Sequence, residues 1–424
     1  MTVDQRQHLL AASGSPRPDP AEAPWIGLSG RLVPGAEDAV PAALASFFDR
    51  HESLRCDYER LGGEFFRRLL APGEVEFVAL PLGDDLAAAE AHDCLVEHLT
   101  ASAQPHVWPR AGFVTVESED SLTLFAAFDH VTFDLVSMHA ALDELPLLHA
   151  AYARGDGPGP VPAAPPSHLD HAAGEQARLA GLTAEDPRMD VWREVAQAGD
   201  AAGLPLSSGV SRGGRWGHEL VSMPLATPGE TAELDELAGR WGTDLETVLI
   251  ALMLRAIADQ EGPGPYELAG LLKVPGRPPE HARSVGWYAA VVPLLLTVDP
   301  TAELRTVCRQ VVAARDRSAH GAIPTPLVHR LLPDLREPSL VLGFVDHRRS
   351  PAEGWMLNES RALLGRVPAD DQMHAWITCL PKGTVFEARH PAIPACSAWV
   401  ATLTVTMRRA LLAELAASEV LQPQ

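Results

Sequence analysis

The stretch FAAFDHVTFDLVSMHAALDEL, Phe125 to Leu145, sets a charged pair at the end of an apolar run. Leu122 to Phe128 reads as a short buried strand. Asp129 and His130 close it, and Asp134 follows four residues after the histidine. SMHAALDELPLLHAAYARG then predicts a helix, bent at Pro146 and stopped by Gly155. A histidine at such a strand-to-loop junction can present its ring while the sheet fixes its backbone. Imidazole is also the side chain that exchanges a proton near neutral pH. Asp134 has two open roles: orienting the imidazole directly, or pairing with an arginine that locks the loop.

Outward from this stretch, the chain has 424 residues, long for one core, so two lobes are expected. Residues 1–165 form the expected N-terminal lobe and 166–424 the C-terminal lobe. The Gly/Pro-rich GDGPGPVPAAPPS places a linker at 155–166. In the first lobe, DAVPAALASFFDRHESL predicts a helix, and Gly62-Gly63 punctuates a hairpin. In the second, TPGETAELDELAGRWG and TDLETVLIALMLRAIADQEG predict helices, the latter capped by Thr243 or Asp244 and ended by Gly262. ELAGLLKV, AAVVPLLLTV, SLVLGFVD and MHAWITCLPKGTVFEARH predict strands, and SAWVATLTVTMRRALLAEL a terminal helix. Both lobes read as mixed α/β sandwiches.

Composition narrows the function. A formal charge of −22 argues against nucleic acid or an anionic membrane as the main partner. No apolar run approaches the roughly 18 residues of a membrane span, and the N-terminus has no signal-peptide pattern. Five scattered cysteines lack a CxxC pair, so reduced thiols and a cytoplasmic location are expected. The 17 histidines form no HExxH pattern, and no metal site is expected.

Three segments occur in order: RHESLR (Arg50–Arg55), FDHVTFDLVS (Phe128–Ser137) and VPGRPPEHARSVGWYAAVVPLLL (Val274–Leu296). Together they resemble the condensation-domain superfamily of acyltransferases, which includes nonribosomal peptide synthetase condensation domains, polyketide-associated acyltransferases and, more distantly, chloramphenicol acetyltransferase. The resemblance runs from about Leu28 to Leu415. It implies two chloramphenicol-acetyltransferase-like lobes in a V-shaped pseudo-dimer with a central tunnel. It also implies an enzyme of natural-product biosynthesis that forms an amide or ester bond from a thioester donor. The donor would be a phosphopantetheine arm on an acyl or peptidyl carrier protein acting in trans, or coenzyme A, with no permanently bound cofactor. The acceptor would be a small amine or alcohol.

On this resemblance His130 is the catalytic base or the group that positions the nucleophile. Asp134 is structural, with Arg277 the first candidate partner and Arg55 the second. Asp129 stands where the family has a first histidine, and Leu135 where it has a glycine. Leu135, Ser137, Gly286, Trp287 and Tyr288 are expected to line the tunnel, with Leu135 narrowing it. Asp129, Asp134 and Ser137 also fit the DxxxxDxxS pattern of heterocyclisation domains, but the retained His130 ranks that reading low. The family's early segment is not recognisable before Trp25. Asp129 and Leu135 motivate an alternative: a catalytically silent module that recruits carrier proteins or a tailoring enzyme.

Overall fold

The computed structural model describes residues 1–14, 25–159, 163–348, 363–364 and 370–420. The middle of the expected linker, 160–162, lies outside them. The chain divides into two compact units. The first comprises residues 1–180, 275–289 and 349–367; the second comprises 181–274, 290–348 and 368–424. The VGWY segment thus belongs with the N-terminal unit, although residues 181–274 of the second unit lie between it and residues 1–180.

In chain order the first unit opens with helix α1 (Val3–Gly14), strand β1 (Trp25–Leu32) and helix α2 (Val40–Arg50). The hairpin β2 (Cys56–Leu61) and β3 (Glu64–Leu69) follows, turning at Gly62 and Gly63, both with positive φ. Helix α3 (Ala88–Ser102), strands β4 (Ala111–Ser118) and β5 (Ser121–Asp129), and helices α4 (Ser137–Ala153) and α5 (His168–Leu179) complete it. Gly155 adopts a φ of 79° just past α4. The second unit holds α6 (Asp190–Gln197), β6 (His218–Ala226), α7 (Pro228–Trp241), α8 (Leu245–Gln260), β7 (Tyr266–Pro275), β8 (Ala289–Val298), α9 (Leu304–Ser318) and α10 (Thr325–Leu331). It continues through β9 (Leu340–Asp346) to β11 (Met373–Leu380), β12 (Gly383–Pro391) and α11 (Pro394–Val420). The two-residue β10 (Leu363–Leu364) belongs to the first unit.

The first unit's sheet has the order β10-β1-β5-β4, with β5 antiparallel to both neighbours. Leu122, Leu124, Ala126 and Phe128 of β5 enter a core that also holds Phe47, Phe133, Leu142 and Val285. Ala127, on the opposite face, joins a smaller cluster with Trp25, Leu95 and Leu99. Both faces of β5 are covered, so its apolar residues run on instead of alternating.

The second sheet has the order β6-β12-β11-β9-β7-β8. Alternate residues of β11, Met373, Ala375, Ile377 and Cys379, share one large core with α8 residues such as Val248 and Leu252. Asp244 caps α8 by accepting from the Thr247 amide, and Thr227 and Glu230 cap α7 reciprocally. No helix among the described residues is long and apolar enough to cross a membrane.

Gly383 turns β11 into β12 with a φ of 125°, and a Cβ there would lie 2.3 Å from the Ala226 carbonyl oxygen. Gly383→Ala is expected to cost about 1–3 kcal/mol from backbone strain, with the clash added to it. Urea unfolding checks this; a midpoint equal to that of the parent would contradict it.

Candidate active site

The chain leaves β5 at Asp129 and turns before α4. Amides of Thr132 and Phe133 donate to the carbonyls of Asp129 and His130, and the Ser53 hydroxyl holds the Thr132 carbonyl at 3.0 Å. Phe133 is fully buried and stacks on Phe128 with ring centroids 4.2 Å apart, which anchors the middle of the turn in the core. His130 stays half-buried, stacked on Trp287 at 4.0 Å with 23° between the rings.

Asp134, 1% exposed, ties this turn to the distant VGWY segment. Its Oδ1 accepts from Arg277 Nη2 at 2.7 Å, from the Ser137 amide at 2.8 Å and from the Ser137 hydroxyl at 2.7 Å. Its Oδ2 accepts from the amides of Tyr288 and Ala289 at 2.9 and 3.0 Å. Five donors converge on one side chain, and an acceptor with two oxygens satisfies them all. Arg277 also donates to the carbonyls of His281 and Ser284, and its guanidinium carbon lies 4.2 Å from the Tyr288 ring centroid. Of the two arginines considered from sequence, Arg277 holds Asp134. Arg55 instead donates to the Leu70 carbonyl and secures the β2–β3 hairpin.

The other expected residues occupy different roles. Ser137, Gly286 and Tyr288, read as channel lining, are buried parts of this brace. The Gly286 amide donates to Ser137 Oγ at 3.1 Å, and the Tyr288 hydroxyl donates to Ser284 at 2.8 Å. Burial pushes the Tyr288 phenol up to about 12. Gly286 is required because a Cβ would meet the buried His168 ring at 2.3 Å. Leu135, expected to narrow a channel, is half-buried and packs against the first core. Of the VGWY residues, Trp287 stacks on His130.

Asp129 also has a partner that the sequence reading missed. His8, on α1, sets Nε2 at 3.0 and 3.1 Å from the two Asp129 carboxylate oxygens. Burial pulls the His8 pKa down, but the charge and hydrogen bond of Asp129 outweigh it, and the net shift is upward. The His8 ring meets Trp287 edge-on at 5.6 Å. Trp287 therefore contacts two imidazoles, one of them paired with a carboxylate. The nearest sequence signal was that α1 carries Gln5 and Leu9 on the same side as His8; Gln5 donates to the Val131 carbonyl at 2.6 Å and Leu9 is buried.

The RHESLR segment is structural. Glu144, fully buried on α4, accepts from Arg50 Nε at 2.7 Å and from His51 Nε2 at 3.2 Å. Burial would raise the Glu144 carboxyl, yet these hydrogen bonds carry it down to about 2. His51 accepts the Val285 amide on Nδ1, so its proton sits on Nε2, and burial keeps the ring neutral. No group of three or more His, Cys, Asp or Glu residues that could hold a metal occurs among the described residues.

Residues 34–342 match the family model described as Condensation domain. The chain belongs to the condensation-domain family. It is 24% identical over 313 residues to the 2'-acyl-2-O-sulfo-trehalose (hydroxy)phthioceranyltransferase PapA1 of Mycobacterium bovis, covering 73% of this chain and 59% of the relative. It is 25% identical over 254 residues to the acyltransferase PapA3 of Mycobacterium tuberculosis, covering 59% and 52%. The match thus spans little more than half the length of these relatives. Among solved structures, PapA2 acyl transferase superposes with a TM-score of 0.78 at 20% identity, over 98% of this chain and 91% of that one. The first condensation domain of the calcium-dependent antibiotic synthetase gives 0.74 at 18%, over 97% and 96%. The fold, mixed helices and sheets, is that of condensation domains.

Two predictions follow from this geometry. Asp134→Asn replaces an acceptor oxygen by a donor facing other donors, and Asp134→Ala leaves the Arg277 charge buried, at about 3–5 kcal/mol. Both variants should unfold at lower urea concentration than the parent, and parental stability in both would contradict the brace. The second concerns acid. Burial, reinforced by neighbouring His171, pushes the His168 imidazole down to about 3, so the native state keeps it neutral. Below about pH 6.5 the unfolded chain takes up that proton and the folded chain does not. Stability should therefore fall from pH 7 to pH 5, by about 2 kcal/mol from His168 alone. His8, shifted upward, acts in the opposite sense. Urea titrations at both pH values check this, with His168→Gln expected to flatten the difference.

Proposed function

We propose that this chain transfers an acyl group from a thioester to a hydroxyl or amine, with His130 as the base. The attacking N–H or O–H bond breaks as the new C–N or C–O bond forms, and the C–S bond of the thioester breaks. The proton passes to His130 Nε2 or Nδ1 and then to the departing thiolate. The observation that carries the reading is the His130 ring stacked on Trp287, on a turn locked by Asp134 and Arg277. A fixed ring orientation suits proton transfer, because a misplaced base forfeits much of its effect. The donor would be a phosphopantetheine thioester, on a carrier protein or in coenzyme A. Membership of the condensation-domain family and acyltransferase relatives support the reading. Two relatives are named for acylating sulfated trehalose, a sugar rich in hydroxyls, which favours ester formation here.

The test incubates the purified chain with acyl-coenzyme A and acyl-carrier donors against a panel of alcohols and amines, following thiol release and product mass. His130→Ala should lower turnover by about 10²-fold or more while circular dichroism stays unchanged, since a general base contributes about 10²–10⁴. Turnover at the parental rate would remove His130 from the chemistry. No turnover of any donor by the parent would favour the recruiting module.

A further inference from the structure

The second unit carries an unclaimed cationic cluster on the face of its sheet opposite the core. Strand β11 sends Met373, Ala375 and Ile377 into that core and His374, Trp376 and Thr378 the other way. In register, His374 stands opposite Arg389 on β12, and Trp376 opposite Gly343 on β9. Lys273, near the end of β7, holds its ammonium 4.6 Å from the centroid of the Trp376 ring. Gly343 allows this crossing: a Cβ there would lie 2.7 Å from Trp376 Cδ1 and 3.7 Å from Lys273 Cδ. The His374 ring lies 5.7 Å from that of Trp376. Lys273, Trp376, His374 and Arg389 therefore form one continuous patch.

Arg389 is 9% exposed, and its Nε and Nη2 are buried with no hydrogen-bond partner among the described residues. These two N–H groups lie on the same edge of the guanidinium and point in parallel, the fork that grips two oxygens of one carboxylate, sulfate or phosphate. The neighbours do not fill it. His374 is neutral: burial first, then the charges of Lys273 and Arg389, drive its pKa well down. Its Nε2 donates to Gln372 Oε1 at 3.1 Å, while the Gln372 amide nitrogen donates to Glu337 at 3.1 Å. Asp370 lies with His218, Oδ1 to Nε2 3.2 Å, and attracts Arg389 only from beyond ion-pair distance. Glu387, on the same face, accepts from the Thr378 hydroxyl at 3.4 Å, and burial raises its pKa. Burial, then the charge of Arg389, lowers the Lys273 ammonium to about 8; burial lowers Arg389 to about 10. Two desolvated cations on one sheet face, each felt by His374, leave a deficit of negative charge that a bound anion would relieve.

We propose that this patch is a binding site for the oxyanion group of a small molecule, gripped by the side-on fork of Arg389 with Lys273 as the second contact. The ligand class is an organic carboxylate, sulfate ester or phosphate. The site goes beyond the acyl-transfer reading and is tested without it. The full chain is titrated calorimetrically at pH 7 with sodium sulfate, phosphate and acetate, each at ionic strength held constant with sodium chloride. Saturable one-to-one binding of at least one of the three is expected, and the tightest identifies the oxyanion. Arg389→Lys keeps the charge but loses the fork and should weaken binding by about tenfold or more; Lys273→Met should weaken it too. Circular dichroism confirms that the variants fold, and if one does not, the other carries the comparison. No oxyanion binding above that of chloride in the parent, or parental affinity in the folded variants, overturns the site.

Discussion

Five hydrogen bonds into one buried carboxylate organise the first unit. Asp134 lies in the turn after β5, and its five donors come from four residues that fix where that turn and the VGWY segment meet: Arg277, Ser137 (amide and hydroxyl), Tyr288 and Ala289. The Asp134–Arg277 pair is short, at 2.7 Å, and almost wholly out of water, with side chains 1% and 4% exposed. Such a pair gains little over an apolar substitute, but losing one member leaves a bare charge. Its value is therefore in specificity: it holds residues 143 positions apart in one register and thereby fixes the surface on which His130 and Trp287 stack.

Protonation around this brace follows from solvation and partners. His51 and His168 are both buried and both shifted down, so His51 serves as a neutral hydrogen-bonding group and His168 as a neutral packing group. His8 is buried too, yet Asp129 outweighs its desolvation and the shift reverses. The replacement of the family's first histidine by Asp129 thus goes with a second imidazole arriving from another element. Beside Trp287 the site keeps two histidines, supplied by α1 and by the β5 turn.

The second unit shows the same competition with the opposite outcome. Arg50 in the first unit meets Glu144 at 2.7 Å, and Glu144 drops to about 2. Arg389 and Lys273 are comparably withdrawn from water but have no carboxylate at contact distance among the described residues, and both shift toward losing their charge. Where the fold completes a pair internally, the motif is structural; where it leaves a fork of donors unfilled, a ligand can complete it.

Much was legible in the order of residues. The β5 run, the Gly62-Gly63 hairpin, the α4 helix with its Gly155 stop, a cap at Thr243 or Asp244 and the strands β7, β8, β9, β11 and β12 rest on local periodicity, capping and turn chemistry, whereas β6 was not read. The choice of Arg277 over Arg55 was legible only through the resemblance, because no local pattern links residues 134 and 277. Helix α1, with its His8–Asp129 pair, and strands β1 and β4 were not legible. A histidine whose partner lies 121 residues away leaves no periodic trace. Leu135 and Tyr288 show a related point: sequence gives the type of a side chain, but packing decides what it touches, here the first core for Leu135 and Ser284 for Tyr288. Local propensity determined many of the elements, and the resemblance of the ordered motifs gave the family. The meeting of distant segments, set by burial and by charges that need partners once water is gone, decided which residues brace the site and which face it.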